Sequence, residues 1–202
     1  MLSVAISSSG QWVASGDEDG VVRLWYANNS DKNSIDLKGH QRSVNSIVFS
    51  SDNKHIASGS DDGTVRIWDI VTKKEVCRLP HGEAVKCLAY LPSGKQLASG
   101  GNSCNIWDVS TGELDSIFQH TQGVVTIVFS LDGERLWTGT GDRKVHDWKS
   151  SIAGQYTALV STTAFSGDSR LIASSLGGND VHLWDTESGK RLAALSDHSG
   201  SI

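Results

Sequence analysis

Trp25, Trp68, Trp107, Trp148 and Trp184 each close a short apolar run, and the gaps between them are 43, 39, 41 and 36 residues. A recurrence near forty residues marks a chain of stacked supersecondary units. A second recurrence runs with the first. Val44, Val85, Val124 and Val160 open matching apolar segments, 24, 22, 24 and 24 residues ahead of the tryptophans that follow them. Unit two reads as four strands. Residues 44–50 alternate, Ser51-Asp52-Asn53 turns the chain, and residues 54–60 form the second strand. Asp61-Asp62-Gly63 suits a tight turn that needs left-handed backbone, residues 64–69 are rich in β-branched side chains, and residues 75–79 make a fourth strand. The order repeats around Gly94-Lys95, Asp132-Gly133 and Gly167-Asp168. The expected units are 1–27, 33–69, 74–108, 113–149 and 154–185, with the start of a further unit at 190–202.

Residues 39–69, GHQRSVNSIVFSSDNKHIASGSDDGTVRIWD, begin with Gly-His and end with Trp-Asp. This unit resembles the WD40 repeat, and the resemblance covers essentially all 202 residues. It implies an all-β fold, a β-propeller of five four-stranded blades, and a non-catalytic scaffold for protein–protein interaction. The chain starts and stops inside what should be the same innermost strand. A closed five-bladed ring and an open arc or fragment of a larger propeller both fit. The second is favoured, because no shared blade clasps the two ends.

Composition narrows the function. With 18 basic and 23 acidic residues the net charge is −5, which disfavours nucleic acid as the main partner. No apolar run is long enough to span a membrane, and no signal peptide precedes the first strand. Cys77, Cys87 and Cys104 form no C-x-x-C pair, so neither a disulfide framework nor a zinc site is expected. Together these suit an intracellular setting, cytoplasmic or nuclear, with no cofactor.

Serine, histidine and aspartate recur together, as a nucleophile, base and orienting carboxylate would. The resemblance implies a structural role instead. It assigns His40–Ser58–Asp62–Trp68 and His120–Thr138–Asp142–Trp148 to two complete buried networks, each running from the indole to the hydroxyl, then to the histidine and the turn aspartate. A hydroxyl locked under an indole cannot meet a substrate, so no catalytic residue is expected. Unit one has Ser15, Asp19 and Trp25 without a histidine, and unit three keeps His81, Ser99 and Trp107 but has a shorter turn without the aspartate. Unit five has Tyr156 and Gly178 at the histidine and aspartate positions. An enzyme with a central-pocket site is the alternative, but the innermost strands carry no repeated acid or histidine.

Four histidines recur at the repeat period. His146 and His182 align with Arg23 and Arg66 on a strand face expected to be exposed, so no metal site is indicated. Two residues break the pattern. Asp147 stands where other units have Leu24, Ile67, Ile106 and Leu183, and Trp137 stands where they have alanine. By resemblance, protein partners or peptides would touch positions beside the opening valine, namely Ser43, Asn45, Ala84, Lys86, Gly123, Val125, Leu159 and Ser161. They would also touch the turn positions Glu18, Asp61 and Gly141. That surface is expected to be acidic near Glu18 and Asp61.

Overall fold

The computed structural model describes residues 3–28, 33–142, 145–148, 162–166, 168, 170–175, 180–188 and 190–196. Among these are nineteen strands and no helix, so no helix is long and apolar enough to cross a membrane. The first sheet comprises β1 (Ser3–Ile6), β2 (Trp12–Gly16), β3 (Val21–Tyr26) and β4 (Ile35–Lys38). The second comprises β5 (Val44–Phe49), β6 (His55–Ser60), β7 (Thr64–Asp69) and β8 (Glu75–Pro80). The third comprises β9 (Cys87–Tyr90), β10 (Gln96–Gly100), β11 (Ser103–Asp108) and β12 (Leu114–Gln119). Three strands, β13 (Val124–Phe129), β14 (Leu136–Thr140) and β15 (Val145–Asp147), form the described part of the fourth. The fifth comprises β16 (Thr162–Phe165), β17 (Leu171–Ser175), β18 (Val181–Asp185) and β19 (Arg191–Leu195). All pairings are antiparallel, in chain order. Each outermost strand opens the sequence unit after the one that supplies the rest of its sheet, so the units and the sheets are offset by one strand.

Turn chemistry explains why the strands stop where they do. Ser50 Oγ donates to Asp52 Oδ1 at 2.6 Å, and that carboxylate accepts the Lys54 amide at 3.0 Å. Ser130 with Asp132 and Ser166 with Asp168 repeat the device. The aspartate that follows Trp68, Trp107 and Trp184 caps the next turn. Asp69 Oδ1 accepts the Val71 and Thr72 amides, Asp108 Oδ1 those of Ser110 and Thr111, and Asp185 Oδ1 that of Ser188. At this turn Lys73 adopts φ 63°, a left-handed value that Gly112 reaches more cheaply at 74°.

The sheets stack face to face, with the innermost strands β1, β5, β9, β13 and β16 following in order. Ala14, Val22, Leu24 and Leu37 of the first sheet bury against Ile47, Ile56 and Trp68 of the second. Ala57, Val65, Ile67 and Leu79 do the same against Leu88, Leu97 and Trp107. The stack does not close, and Val4 and Ile6 on the outer face of the first sheet are 60% and 64% exposed. A glycine at or near the end of a second strand receives the valine that precedes or opens the next sheet. A Cβ on Gly16, Gly59 or Gly100 would fall 2.5 Å from Val44, 2.5 Å from Val85 or 2.8 Å from Val124 respectively. Gly100 is also flanked by Cys87 and Cys104, its register partners on β9 and β11.

Three expectations need correcting or completing. Arg66 is not on an exposed face: it is 5% exposed, because the second sheet's outer pair packs it beside Gly39 with its guanidinium on Glu75. Trp137 finds room by packing against Val145, Ile172 and Trp184, with Arg135 over its ring at 5.8 Å. Asp147 lies 3.9 Å from Arg135, so its charge is compensated. The glycine–valine contacts yield a prediction. Gly59→Ala should cost about 1–3 kcal/mol by overpacking, whereas Gly123→Ala, whose Cβ would meet nothing nearer than 3.7 Å, should change urea unfolding little. Equal losses would remove the interlock from the account.

Candidate functional site

In the second sheet, four side chains from three segments meet beneath the upper turn. Trp68 Nε1 donates to Ser58 Oγ at 2.9 Å, and Ser58 Oγ lies 2.8 Å from His40 Nε2. His40 Nδ1 lies 2.9 Å from Asp62 Oδ2. One tautomer satisfies all of it: Ser58 donates to Nε2, and Nδ1–H donates to the carboxylate. Asp62 Oδ1 also accepts from the Thr64 hydroxyl and amide, and Oδ2 from the Gln41 amide. Burial opposes ionisation of Asp62, but the Thr64, Gln41 and His40 donors outweigh it and hold the carboxyl at about 2. Burial lowers the pKa of His40 more than Asp62 raises it, so the imidazole stays neutral.

The distances match a serine hydrolase relay, yet the chemistry is closed off. Ser58 is fully buried and its oxygen already accepts the indole N–H. Nucleophilic attack needs an accessible oxygen and a space for the tetrahedral carbon beside it. Neither exists here.

The relay decays along the chain. In the third sheet Ser99 Oγ accepts from Trp107 Nε1 at 2.7 Å and lies 2.9 Å from His81 Nδ1. His81 Nε2 is buried without a partner, facing Gly101 where the shortened turn supplies no carboxylate. The fourth sheet departs from the expected complete network. Trp148 Nε1 donates to Thr138 Oγ1 at 2.9 Å, and His120 Nε2 lies 3.2 Å from that oxygen. Asp142, however, accepts from Thr140 at 2.5 Å and Thr121 at 3.4 Å, leaving His120 Nδ1 buried and unpaired. Burial and the nearby His146 bring His120 down to about 4. In the fifth sheet Trp184 Nε1 still reaches Ser174 Oγ at 3.0 Å, while Tyr156 and Gly178 lie outside the described residues. In the first, Asp17 takes over the turn from Asp19: it accepts the Asp19 and Val21 amides and pairs with Arg23 at 2.5 Å.

The expected partner-contacting positions lie along the inner rim, one group per junction. Ser43 Oγ donates to the Glu18 carbonyl at 3.2 Å. Asn45 Nδ2 bridges Asp61 Oδ1 at 2.7 Å and the Val85 carbonyl at 2.9 Å. Lys86 Nζ closes on the same Asp61 oxygen at 2.5 Å, tying the second sheet to the third. Asp61 is therefore not a free acid. Hydrogen bonds from Lys86 and Asn45 hold its pKa low, and its charge is spent locally. Glu18 and Val125 are exposed and Ala84 is half-buried, and Gly141 N bonds the Gly123 carbonyl at 2.9 Å. Leu159 and Ser161 lie outside the described residues. Sequence reasoning missed the Arg66–Glu75 pair and the Ser-x-Asp turns. The signal for the turns was present, as Ser50-x-Asp52, Ser130-x-Asp132 and Ser166-x-Asp168.

The sequence model of the WD domain, G-beta repeat matches residues 1–26, 32–69, 73–108 and 149–185. The chain is 35% identical over 162 residues to a guanine nucleotide-binding protein subunit beta of Arabidopsis thaliana, covering 73% of this chain and 43% of that protein. It is 36% identical over 80 residues to a U3 small nucleolar RNA-associated protein 15 homolog of Bos taurus, covering 38% of this chain and 15% of that one. The Homo sapiens homolog is 37% identical over 73 residues, or 35% of this chain and 14% of that protein. The chain thus spans less than half the length of these relatives.

Two outcomes are expected. Asp62→Ala should cost about 2–3 kcal/mol by removing the shared acceptor of His40 Nδ1, Thr64 and the Gln41 amide, with only the Thr64 hydroxyl, 3.2 Å from Nδ1, left beside the imidazole. Asp142→Ala should cost less than half of that, because His120 Nδ1 already lacks a partner. Denaturant titrations of both variants decide it, and equal losses would refute the difference between the two relays. The pH dependence follows from the same groups. His40, His81 and His120 have folded pKa values below 6.5, so the unfolded chain binds more protons as pH falls. Stability should be full above about pH 6.5 and fall towards pH 4. Asp62 adds a second loss below about pH 4, as protonation approaches its folded value of about 2. Urea midpoints across pH 3–8 measure this, and His120→Asn should flatten the upper limb.

Proposed function

We propose that this chain, which belongs to the WD domain, G-beta repeat family, acts as a non-catalytic scaffold that holds protein partners against its inner rim. The observation that carries this reading is the contrast between the relay and the rim. The Ser–His–Asp grouping, which has the spacing of a catalytic relay, is sealed under an indole, while the turns and inner-strand ends present side chains to solvent on a stacked-sheet support. Loops held on a rigid support are where recognition concentrates. The contact positions we assign are Glu18, Ser43, Asn45, Asp61, Ala84, Lys86 and Val125, with Leu159 carried over from the sequence pattern.

The relatives' printed names place one in a guanine nucleotide-binding protein and others with U3 small nucleolar RNA. A scaffold suits either setting, since the chain's net charge of −5 favours contact through protein. Unpaired Cys77, Cys87 and Cys104 support a reducing, intracellular environment. With Asp61 neutralised by Lys86, the rim offers, among the described residues, mixed polar contacts and a large apolar point at Val125, which is 39% exposed.

The test is affinity capture from cell extract with the wild-type chain, Val125→Glu, Asp61→Lys and the charge-swapped Asp61→Lys/Lys86→Asp pair. Loss of a common set of proteins with Val125→Glu and Asp61→Lys, partly restored by the swap, is the expected result. Unchanged recovery with all three, in variants that melt like wild type, would move the site off the rim.

A further inference from the structure

At the lower edge of the stack, at two of the described junctions, the residue that opens or immediately precedes a second strand reaches the turn after the third strand of the next sheet. In the first junction that residue is Trp12, whose ring carries Lys73 Nζ at 4.2 Å and Tyr26 edge-on at 5.0 Å. In the last described junction it is Arg135, which donates to the Thr186 carbonyl of the fifth sheet. Between the second and third sheets the pair is His55 and Gly112, the positional equivalents of Trp12 and Lys73. A glycine sends nothing across. A slot of about 170 Å³ opens there, lined by His55, Ile67, Val76, Cys77, Val109 and Gly112. It shares His55, Val109 and Ser110 with an adjoining groove of about 500 Å³, whose walls carry Asp52, Lys95 and Asp108.

The two parts differ in chemistry. The slot has an aliphatic side formed by Ile67, Val76 and Val109, facing the Ser110 and Thr111 hydroxyls, and Val76 is 55% exposed. The groove holds two carboxylates against one lysine, and Asp69 adds a third negative charge near His55. Asp52 and Asp108 each commit one oxygen, Oδ1, to the turns described above. Their Oδ2 atoms make no hydrogen bond within the described residues. One further group is unsatisfied: the Tyr90 hydroxyl, buried without a partner and close enough to Asp52 of the groove to feel its charge. The equivalent residues in the second and fourth sheets are Phe49 and Phe129, so this polar atom is peculiar to the junction where the clamp is missing.

We propose that the cleft between the second and third sheets is a second docking site, on the edge opposite the inner rim, for an extended peptide with an aliphatic anchor followed by a basic residue. The anchor fills the slot beside Gly112, and the cation lies between Asp52 and Asp108. This deepens the scaffold reading by naming a partner chemistry, and rests on it only in taking peptides as ligands.

The test titrates fluorescein-labelled GSIKRSGS and its counterparts GSIEESGS and GSSKRSGS against the full chain, followed by anisotropy. The first should bind at least tenfold more tightly than either counterpart. His55→Trp/Gly112→Lys copies the clamp of the first junction and should abolish that binding while the chain melts normally. Should the double variant fold poorly, since a Cβ at Gly112 comes within 3.0 Å of Cys77 Sγ, Val76→Glu on the exposed wall serves alone and should weaken binding tenfold. Absence of binding by wild type, equal binding of the three peptides, or binding that survives both variants would overturn the site. Asp61→Lys and Lys86→Asp should leave this titration unchanged, so rim and cleft succeed or fail separately.

Discussion

Each sheet has two apolar faces and cannot cover either by itself. Everything else in the molecule follows from that need. The outward-leaning side chains of one sheet, such as Ala57, Val65 and Ile67, meet the inward-leaning Leu88, Leu97 and Trp107 of the next. Register has little freedom, because a slip of one residue would turn the aliphatic rows to the wrong side. At the inner end the glycine–valine contacts of Gly16 with Val44 and Gly59 with Val85 set how close two sheets come. Nearest-neighbour contacts of this sort make stability approximately a sum of sheet and junction terms.

Within that frame the tryptophan relay does local work. It joins the second strand, the third strand and the segment that precedes the first, so the turn above them cannot reorganise independently. The second sheet has the full relay, the third lacks the carboxylate, and in the fourth the carboxylate bonds elsewhere. The second, third, fourth and fifth sheets keep the indole-to-hydroxyl bond. That bond is the common denominator, since an unpaired indole N–H in the core would cost more than the loss of an outer histidine contact.

Much of this was legible in the sequence. The tryptophan and valine spacings give the sheets, their order and the strand ends of the second unit almost residue for residue. The missing carboxylate in unit three was readable from a turn two residues shorter. What could not be read was competition among neighbours. Asp142 has the right identity and spacing, but it accepts from Thr140 and Thr121 and not from His120. Asp61 looks like a surface acid until Lys86, from the next unit, closes on it. Arg66 looks exposed by its charge, yet Glu75 and the bare backbone at Gly39 allow it to be buried. In each case the deciding partner comes from outside the local pattern, and periodicity carries no information about it.

The two cysteines beside Gly100 give the junction between the third and fourth sheets a chemical property of its own. Burial raises the thiol of Cys104 to about 12 and that of Cys87 also well above its ordinary value, so almost no thiolate exists at neutral pH while the sheets are together. Alkylation requires the thiolate and room for the reagent, and for the fully buried Cys104 both appear only when the sheets part. The rate at which an alkylating reagent consumes Cys104 is therefore a clock for the separation of neighbouring sheets. Cys77, in the cleft on the other side of the third sheet, would run on a different dial.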